Sequence, residues 1–199
     1  MSEPHTMNER HPVAQPGCLY GVLLGGRADG CNIELHDVAF GVGRRLEDLH
    51  EQLLDQWFGK PQGLHVDAYV RLDQVDGYRI ELRSVPGVGI HKLFFINLGG
   101  YQPDEFAEQH AYAFVAATGK AEAKTIAKAS LLPGRQSVHK DDLFDIDDCL
   151  CIDRIGDWHL ELIEDDEATR SEVINGYFPL PKSTIERWQN GIRESPESG

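Results

Sequence analysis

Two short patterns in this chain bring together side chains able to do chemistry. Glu34-x-His36 and His65-x-Asp67 recur further along as Glu108-x-His110 and His139-x-Asp141. On a strand, residues two apart share a face, so each pattern sets an imidazole beside a carboxylate. If the strands carrying them are neighbours, Glu34, His36, His65 and Asp67 converge, and so do Glu108, His110, His139 and Asp141. Two imidazoles and a carboxylate are a ligand set for zinc or iron(II), so a divalent metal is the one cofactor these residues suggest. The same groups also make charge-assisted hydrogen bonds that pin strands together. Recurrence favours that structural role, since both copies must fold alike. Metal binding comes second, and ligand binding or acid–base chemistry third.

Other constellations are weaker. Ser137, His139 and Asp141 alternate like a hydrolytic triad, but same-face neighbours on a strand lie roughly 6.5 Å apart, too far for direct hydrogen bonds. Cys31 precedes His36 without an orienting third residue and reads as a loop thiol. Cys149-x-Cys151 puts two thiols on one strand face, where two small half-buried residues are the simpler reading. Gly25-Gly26 and Gly99-Gly100 follow strands, but no helix follows them to cradle a phosphate, so they read as turns needing positive φ. The acidic stretch Asp141, Asp142, Asp145, Asp147, Asp148 and Asp153 lacks EF-hand spacing and reads as a solvated face. No catalytic residue is assigned.

These residues are organised by an internal repeat. Leu19-Tyr-Gly-Val-Leu-Leu-Gly-Gly26 aligns with Leu93-Phe-Phe-Ile-Asn-Leu-Gly-Gly100 at an offset of 74, which also pairs Glu34 with Glu108, His36 with His110, His65 with His139 and Asp67 with Asp141. About six extra residues then move the offset to 80, pairing Asp73 with Asp153, Tyr78 with Trp158 and Glu81-Leu82 with Glu161-Leu162. The copies span 18–84 and 91–164. Copy 1 reads as strands at 18–24 and 36–42, a helix carrying Leu46, Leu49, Leu53, Leu54, Trp57 and Phe58 on one face, an alternating strand at 65–72, an Asp76-Gly77 turn and a strand at 78–83. Copy 2 repeats the order, with strands at 92–98 and 109–116 and a helix over 120–132 capped by Thr118.

The expected fold class is therefore α+β: two tandem β-β-α-β-β repeats, β-grasp-like, each a mostly antiparallel sheet covered by a helix. Residues 1–16 read as a disordered tail. Residues 165–199 form a C-terminal extension with a short helix at about 183–193, opened by a Ser183-Thr-Ile-Glu186 capping box.

The segments Glu34-Leu-His-Asp37, Lys92-Leu-Phe-Phe-Ile-Asn-Leu-Gly-Gly-Tyr101, His110-Ala-Tyr-Ala-Phe114 and His139-Lys-Asp-Asp142 resemble the bacterial domain-of-unknown-function family DUF1543, here in two tandem copies. The resemblance implies a bacterial, soluble protein and brings no activity, cofactor or catalytic residue.

Composition narrows the partners. Nineteen Lys and Arg stand against 33 Asp and Glu, a formal charge of −14 over 199 residues. That excludes nucleic acid and anionic membrane surfaces as natural partners, and leaves a basic protein or a second copy of the chain. The polar start lacks a secretory signal, which points to the cytoplasm. With no catalytic motif, the leading expectation is a non-catalytic interaction or ligand-binding module. A metal-dependent enzyme using the Glu, His, His and Asp donors is the alternative, and an acidic antagonist of a basic protein the second alternative.

Overall fold

The computed structural model describes residues 17–101, 104–131, 144–167 and 171–192. Copy 1 contributes β1 (Cys18–Gly26), β2 (Leu35–Gly43), a 3-10 turn (Leu46–Leu49) running into α1 (His50–Gln56), β3 (His65–Arg71), β4 (Gln74–Val75) and β5 (Tyr78–Arg83). Copy 2 repeats the order with β6 (Lys92–Gly100), β7 (Gln109–Ala117), α2 (Lys120–Leu131), β8 (Phe144–Ile152), β9 (Arg154–Ile155) and β10 (Trp158–Glu164). The extension adds β11 (Val173–Pro179) and α3 (Lys182–Gln189). The fold is α+β, with antiparallel ladders throughout.

Three sheets form, in the orders β11-β3-β1-β2, β7-β6-β8 and β4-β5-β10-β9. The third joins strands of both copies, where a separate sheet for each repeat was expected. Here β5 of copy 1 pairs with β10 of copy 2, in a register that sets Glu81 opposite Glu161. Those two glutamates are repeat equivalents, so the pseudo-twofold relating the copies passes between them. The alternation of a strand names the face it buries but not the strand it pairs with, which is why the exchange was not readable.

The exchange builds a shared core. One face of β1 (Tyr20, Val22, Leu24) packs on α1 and α3 with Leu53, Leu54, Trp57 and Ile185. The other face looks inward, where Leu19, Phe40 and Leu72 meet Leu93, Phe95 and Ile152 of copy 2. Phe40 makes edge-to-face contacts with Phe95 at 5.9 Å and Phe114 at 6.3 Å. Gly21 permits this approach, because a Cβ there would lie 2.8 Å from the Phe114 ring. The hairpin tip Asp76-Gly77, with positive φ at both residues, reaches across so that Asp76 Oδ2 accepts the Ala116 N–H at 3.0 Å.

Several local expectations change. The first helix is split, and Phe58 is exposed. The capping box at Ser183 does not form: Pro181 occupies the N-cap with no side-chain hydrogen bond. At α2, Glu122 accepts from both the backbone N–H and the hydroxyl of Thr118. Residues 1–16 lie outside the described residues. No described helix is long and apolar enough to cross a membrane.

One ionic device sits on the pseudo-twofold. Arg83 reaches Glu81 Oε2 through Nη2 at 2.8 Å and Glu161 Oε2 through Nε at 2.5 Å. Glu161 is only 8% exposed, and its Oε1 accepts the Val88 N–H at 3.1 Å. Removing Arg83 leaves a buried carboxylate without its cation. We expect Arg83→Ala to cost about 2 kcal/mol in urea unfolding, somewhat below a fully buried pair because Arg83 is half exposed. Arg83→Leu/Glu161→Leu should recover most of that loss.

Glu81 also titrates below the usual carboxylate range, held down first by the Arg79 guanidinium and then by Arg83. Its folded value is depressed, so the stability it contributes is present at neutral pH and is lost as pH falls below about 4.5 through that value. Acid unfolding followed by circular dichroism should show a shallower pH dependence in Glu81→Gln.

Candidate functional site

Copy 1 brings all four of its predicted residues together, by a route that differs from adjacent second and third strands. β1 lies between β2 and β3, and Gly25 on β1 is paired with His36 on one side and His65 on the other. Directly opposed residues on antiparallel strands point to the same face. His36, Gly25 and His65 therefore form a row across three strands, and the missing side chain at Gly25 lets the imidazoles lean together. Gly25 and Gly26 are extended residues of β1, not the positive-φ turn expected. They are small because of what lies over them. A Cβ on Gly25 would sit 2.5 Å from both Asp67 Oδ2 and His65 Nε2, and one on Gly26 would meet the Trp57 ring at 2.9 Å.

Asp67 enters through a β-bulge. The register shifts between Leu23 and Leu24, which face Ala68 and Val66, so Asp67 is the extra residue of β3 without a ladder partner. A bulge re-aims its side chain. Here that places Asp67 Oδ1 at 3.3 Å from His65 Nε2 and Oδ2 at 3.1 Å from His36 Nε2. Glu34, just before β2, closes the ring, with Oε1 at 3.4 Å from His65 Nε2 and Oε2 at 4.0 Å from His36 Nε2.

The protonation pattern of the buried member follows from its second nitrogen. The His65 side chain is 3% exposed, and its Nδ1 lies 2.9 Å from the Gly63 carbonyl oxygen. A carbonyl accepts only, so Nδ1 carries the hydrogen and in the neutral ring Nε2 presents a lone pair to the carboxylates. Asp67 Oδ2 is buried and has no hydrogen-bond partner; the His36 nitrogen is near enough but at the wrong angle. The site thus sets two imidazole nitrogens against two carboxylates. Among the described residues, no three His, Cys, Asp or Glu side chains form a ready-made metal cage. The four donors instead stand as a ring of imidazole–carboxylate neighbours.

The sequence reasoning missed Tyr177. The bulge in β11 between Asn175 and Phe178 sets its ring over His65, with centroids 4.5 Å apart. Val173–Pro179 contains Gly176 and Pro179, which disguised it as a loop.

Among the described residues, copy 2 repeats only the Glu-x-His half of this site, with His110 Nε2 at 3.9 Å from Glu108 Oε2. His110 Nδ1 lies 3.1 Å from Asn97 Oδ1, and Glu108 accepts from the Tyr101 hydroxyl at 3.3 Å. His139 and Asp141 lie outside the described residues, as does the Ser137 pattern. The ladder also revises their equivalence. Gly99 is paired with His110 and with Asp145, and the bulge recurs between Asn97 and Leu98. The offset on β8 is therefore already 80, so Asp145 and Asp147 occupy the backbone positions of His65 and Asp67. The six extra residues fall before β8 rather than after it.

The remaining candidates resolve as structure. The Cys31 thiol accepts the Ala28 N–H at 3.3 Å within its turn. Cys149 is buried and Cys151 half-buried against α2, and burial raises the Cys151 thiol above its ordinary value.

The model of the domain of unknown function DUF1543 matches residues 31–82 and again 105–154. The chain belongs to the DUF1543 family. Both matches fall within the two copies, and the second begins 74 residues after the first. The crystal structure of a protein Il1583 from Idiomarina loihiensis is similar to this DUF1543 chain at 33% identity and a TM-score of 0.64, over 83% of this chain and 99% of that one. A comparison with curated proteins gives no match.

Gly25 should not tolerate a methyl group, because the atoms it would meet belong to a buried ring and a bulged carboxylate. We expect Gly25→Ala to destabilise this DUF1543 chain by about 1–3 kcal/mol. Gly119→Ala, which meets no atom within 4 Å, should be nearly neutral. Paired thermal melts decide; equal midpoints for the two variants would show that the site does not need the space over Gly25.

Proposed function

We propose that the chain is a non-catalytic ligand-binding module whose copy 1 site takes a small cation. The observation that carries this reading is Asp67 Oδ2, a buried acceptor with no donor, beside the lone pair of His65 and the half-exposed carboxylate of Glu34. Such a set is completed by a positive charge that accepts electron pairs or donates hydrogens. A divalent metal ion and an organic ammonium group share that chemistry. Tyr177 adds an aromatic ring beside the site, a surface suited to an ammonium.

A metal-dependent enzyme is the second reading, favoured by one detail. A histidine whose Nδ1–H is tied to a backbone carbonyl is oriented as metal-ligating histidines commonly are. Glu34, His36, His65 and Asp67 would hold the ion, and it would supply Lewis acidity to a bound water or carbonyl.

The test uses full-length protein purified without a tag or chelator. Metal content is read by mass spectrometry, and Zn²⁺ and putrescine are titrated calorimetrically. One site per chain for either probe, lost in His65→Ala and Asp67→Asn but kept in His110→Ala, is the expected result. Zinc binding alone selects the metal, and putrescine alone the ammonium. No saturable binding of either probe overturns the proposal and leaves these residues as strand-pinning groups.

A further inference from the structure

One wall of the candidate site comes from neither repeat. β11 belongs to the C-terminal extension and pairs with β3. β3 bulges at Asp67 where it meets β1, because Leu23 and Leu24 face Ala68 and Val66. β11 bulges on the same rung from the other side. Asn175 faces Ala68 and Phe178 faces Val66, so Gly176 and Tyr177 stand opposite Asp67. Two bulges on one rung of neighbouring ladders re-aim two side chains toward one place. Asp67 turns between the imidazoles, at 3.1 Å from His36 and 3.3 Å from His65, and the Tyr177 ring is set over His65 with centroids 4.5 Å apart.

The flanks of the β11 bulge are fixed. The Phe178 ring meets Tyr69 edge-on at 5.7 Å, and the Leu180 N–H donates to the Leu64 carbonyl oxygen at 3.0 Å. Gly176 leaves no room for a side chain, since a Cβ there would lie 2.8 Å from the Phe178 ring. The backbone therefore sets where Tyr177 stands.

We propose that Tyr177 is the specificity-determining residue of the copy 1 site, and that the ligand it selects is a primary organic ammonium. The inference rests on the reading of that site as a cation binder. The three N–H donors of a primary ammonium match Asp67 Oδ2, Glu34 Oε1 and the Nε2 lone pair of neutral His65. The Tyr177 ring adds two things. Its face attracts positive charge within about 6 Å, and its carbon surface covers the first methylenes of the ligand. Zn²⁺ takes nitrogen, sulfur and carboxylate ligands, to which an aromatic face adds nothing. Tyr177 thus bears on the ammonium and is indifferent to the metal.

The test is calorimetric titration of full-length protein with putrescine, tetramethylammonium and Zn²⁺, each alone. Putrescine should bind wild type and Tyr177→Phe alike, and Tyr177→Leu about five- to tenfold more weakly. Asp67→Asn should abolish it. Tetramethylammonium, which carries the charge without an N–H, should bind wild type more than about tenfold more weakly than putrescine. In the wild-type protein the Tyr177 ring resonances should shift saturably with putrescine, a readout that needs no variant to fold. Putrescine binding that Asp67→Asn removes, but that neither shifts the Tyr177 resonances nor weakens in Tyr177→Leu, overturns this inference and leaves the cation reading standing. Saturable Zn²⁺ binding without putrescine binding does the same in favour of the metal. Equal binding of tetramethylammonium and putrescine overturns the choice of a primary ammonium. No saturable binding of any probe overturns the cation reading and this inference with it.

Discussion

The ladder between β5 and β10 is the interaction on which the rest of this structure depends. Each copy has a sheet with two apolar faces: one is closed by its helix, and the other has no cover within the copy. Exchange of the last hairpins solves this for both at once. It brings Ile80 and Leu82 of one copy and Leu160 and Leu162 of the other into a single core with Phe40, Phe95 and Phe114. Repeats of about 70 residues bury too little surface to be robust alone, and sharing a core removes that limit. The ladder fixes more than stability. With Glu81 opposite Glu161, two like charges would meet on the pseudo-twofold, and a single Arg83 bridges them. Its repeat equivalent is Ile163, so one cation serves both glutamates and the symmetry is broken at its own centre.

That break propagates to the candidate site. Both copies keep the row of strands, the central glycine and the bulge at the same ladder position. The backbone bulge beside the central glycine is thus common to the two. What differs is the residue beside it, His65 in one copy and Asp145 in the other, and the strand beyond. β11 covers β3 and carries Tyr177 onto His65. Among the described residues, β8 has no such neighbour. The frame tolerates the divergence because glycine, bulge and ladder are backbone features that do not depend on which side chain fills the row.

Legibility in the sequence followed the same division between face and partner. The repeat and the element order could be read, because periodicity and spacing report which residues share a face; Glu34, His36, His65 and Asp67 do meet, but across β1 and through a bulge and not on adjacent strands as expected. Four things could not be read. Strand exchange left no mark, since β5 would look the same paired within its copy or across it. Gly25 and Gly26 were assigned to a turn, because glycine in a sequence does not say whether it supplies positive φ or empty space; here it supplies space for His65, Asp67 and Trp57. The equivalence of His65 with His139 rested on one offset carried too far. The chance matches His65/His139 and Asp67/Asp141 concealed an insertion that the bulge position relocates to before β8. Tyr177 escaped because a strand broken by Gly176 and ended by Pro179 carries loop chemistry in its composition.

The chemistry of the site is constrained more by its hydrogens than by its residue types. Imidazoles and carboxylates together are ordinary strand-pinning partners when a ring N–H points at an oxygen. Here the Nδ1–H of His65 is spent on Gly63, which turns the remaining lone pair toward two carboxylates. With Nε2 of His65 at 3.3–3.4 Å from two carboxylate oxygens, a positive charge between them is favourable, whether a proton on the ring or a bound cation. Glu34, His36, His65 and Asp67 are held in that arrangement by a bulged strand over a glycine that must stay bare.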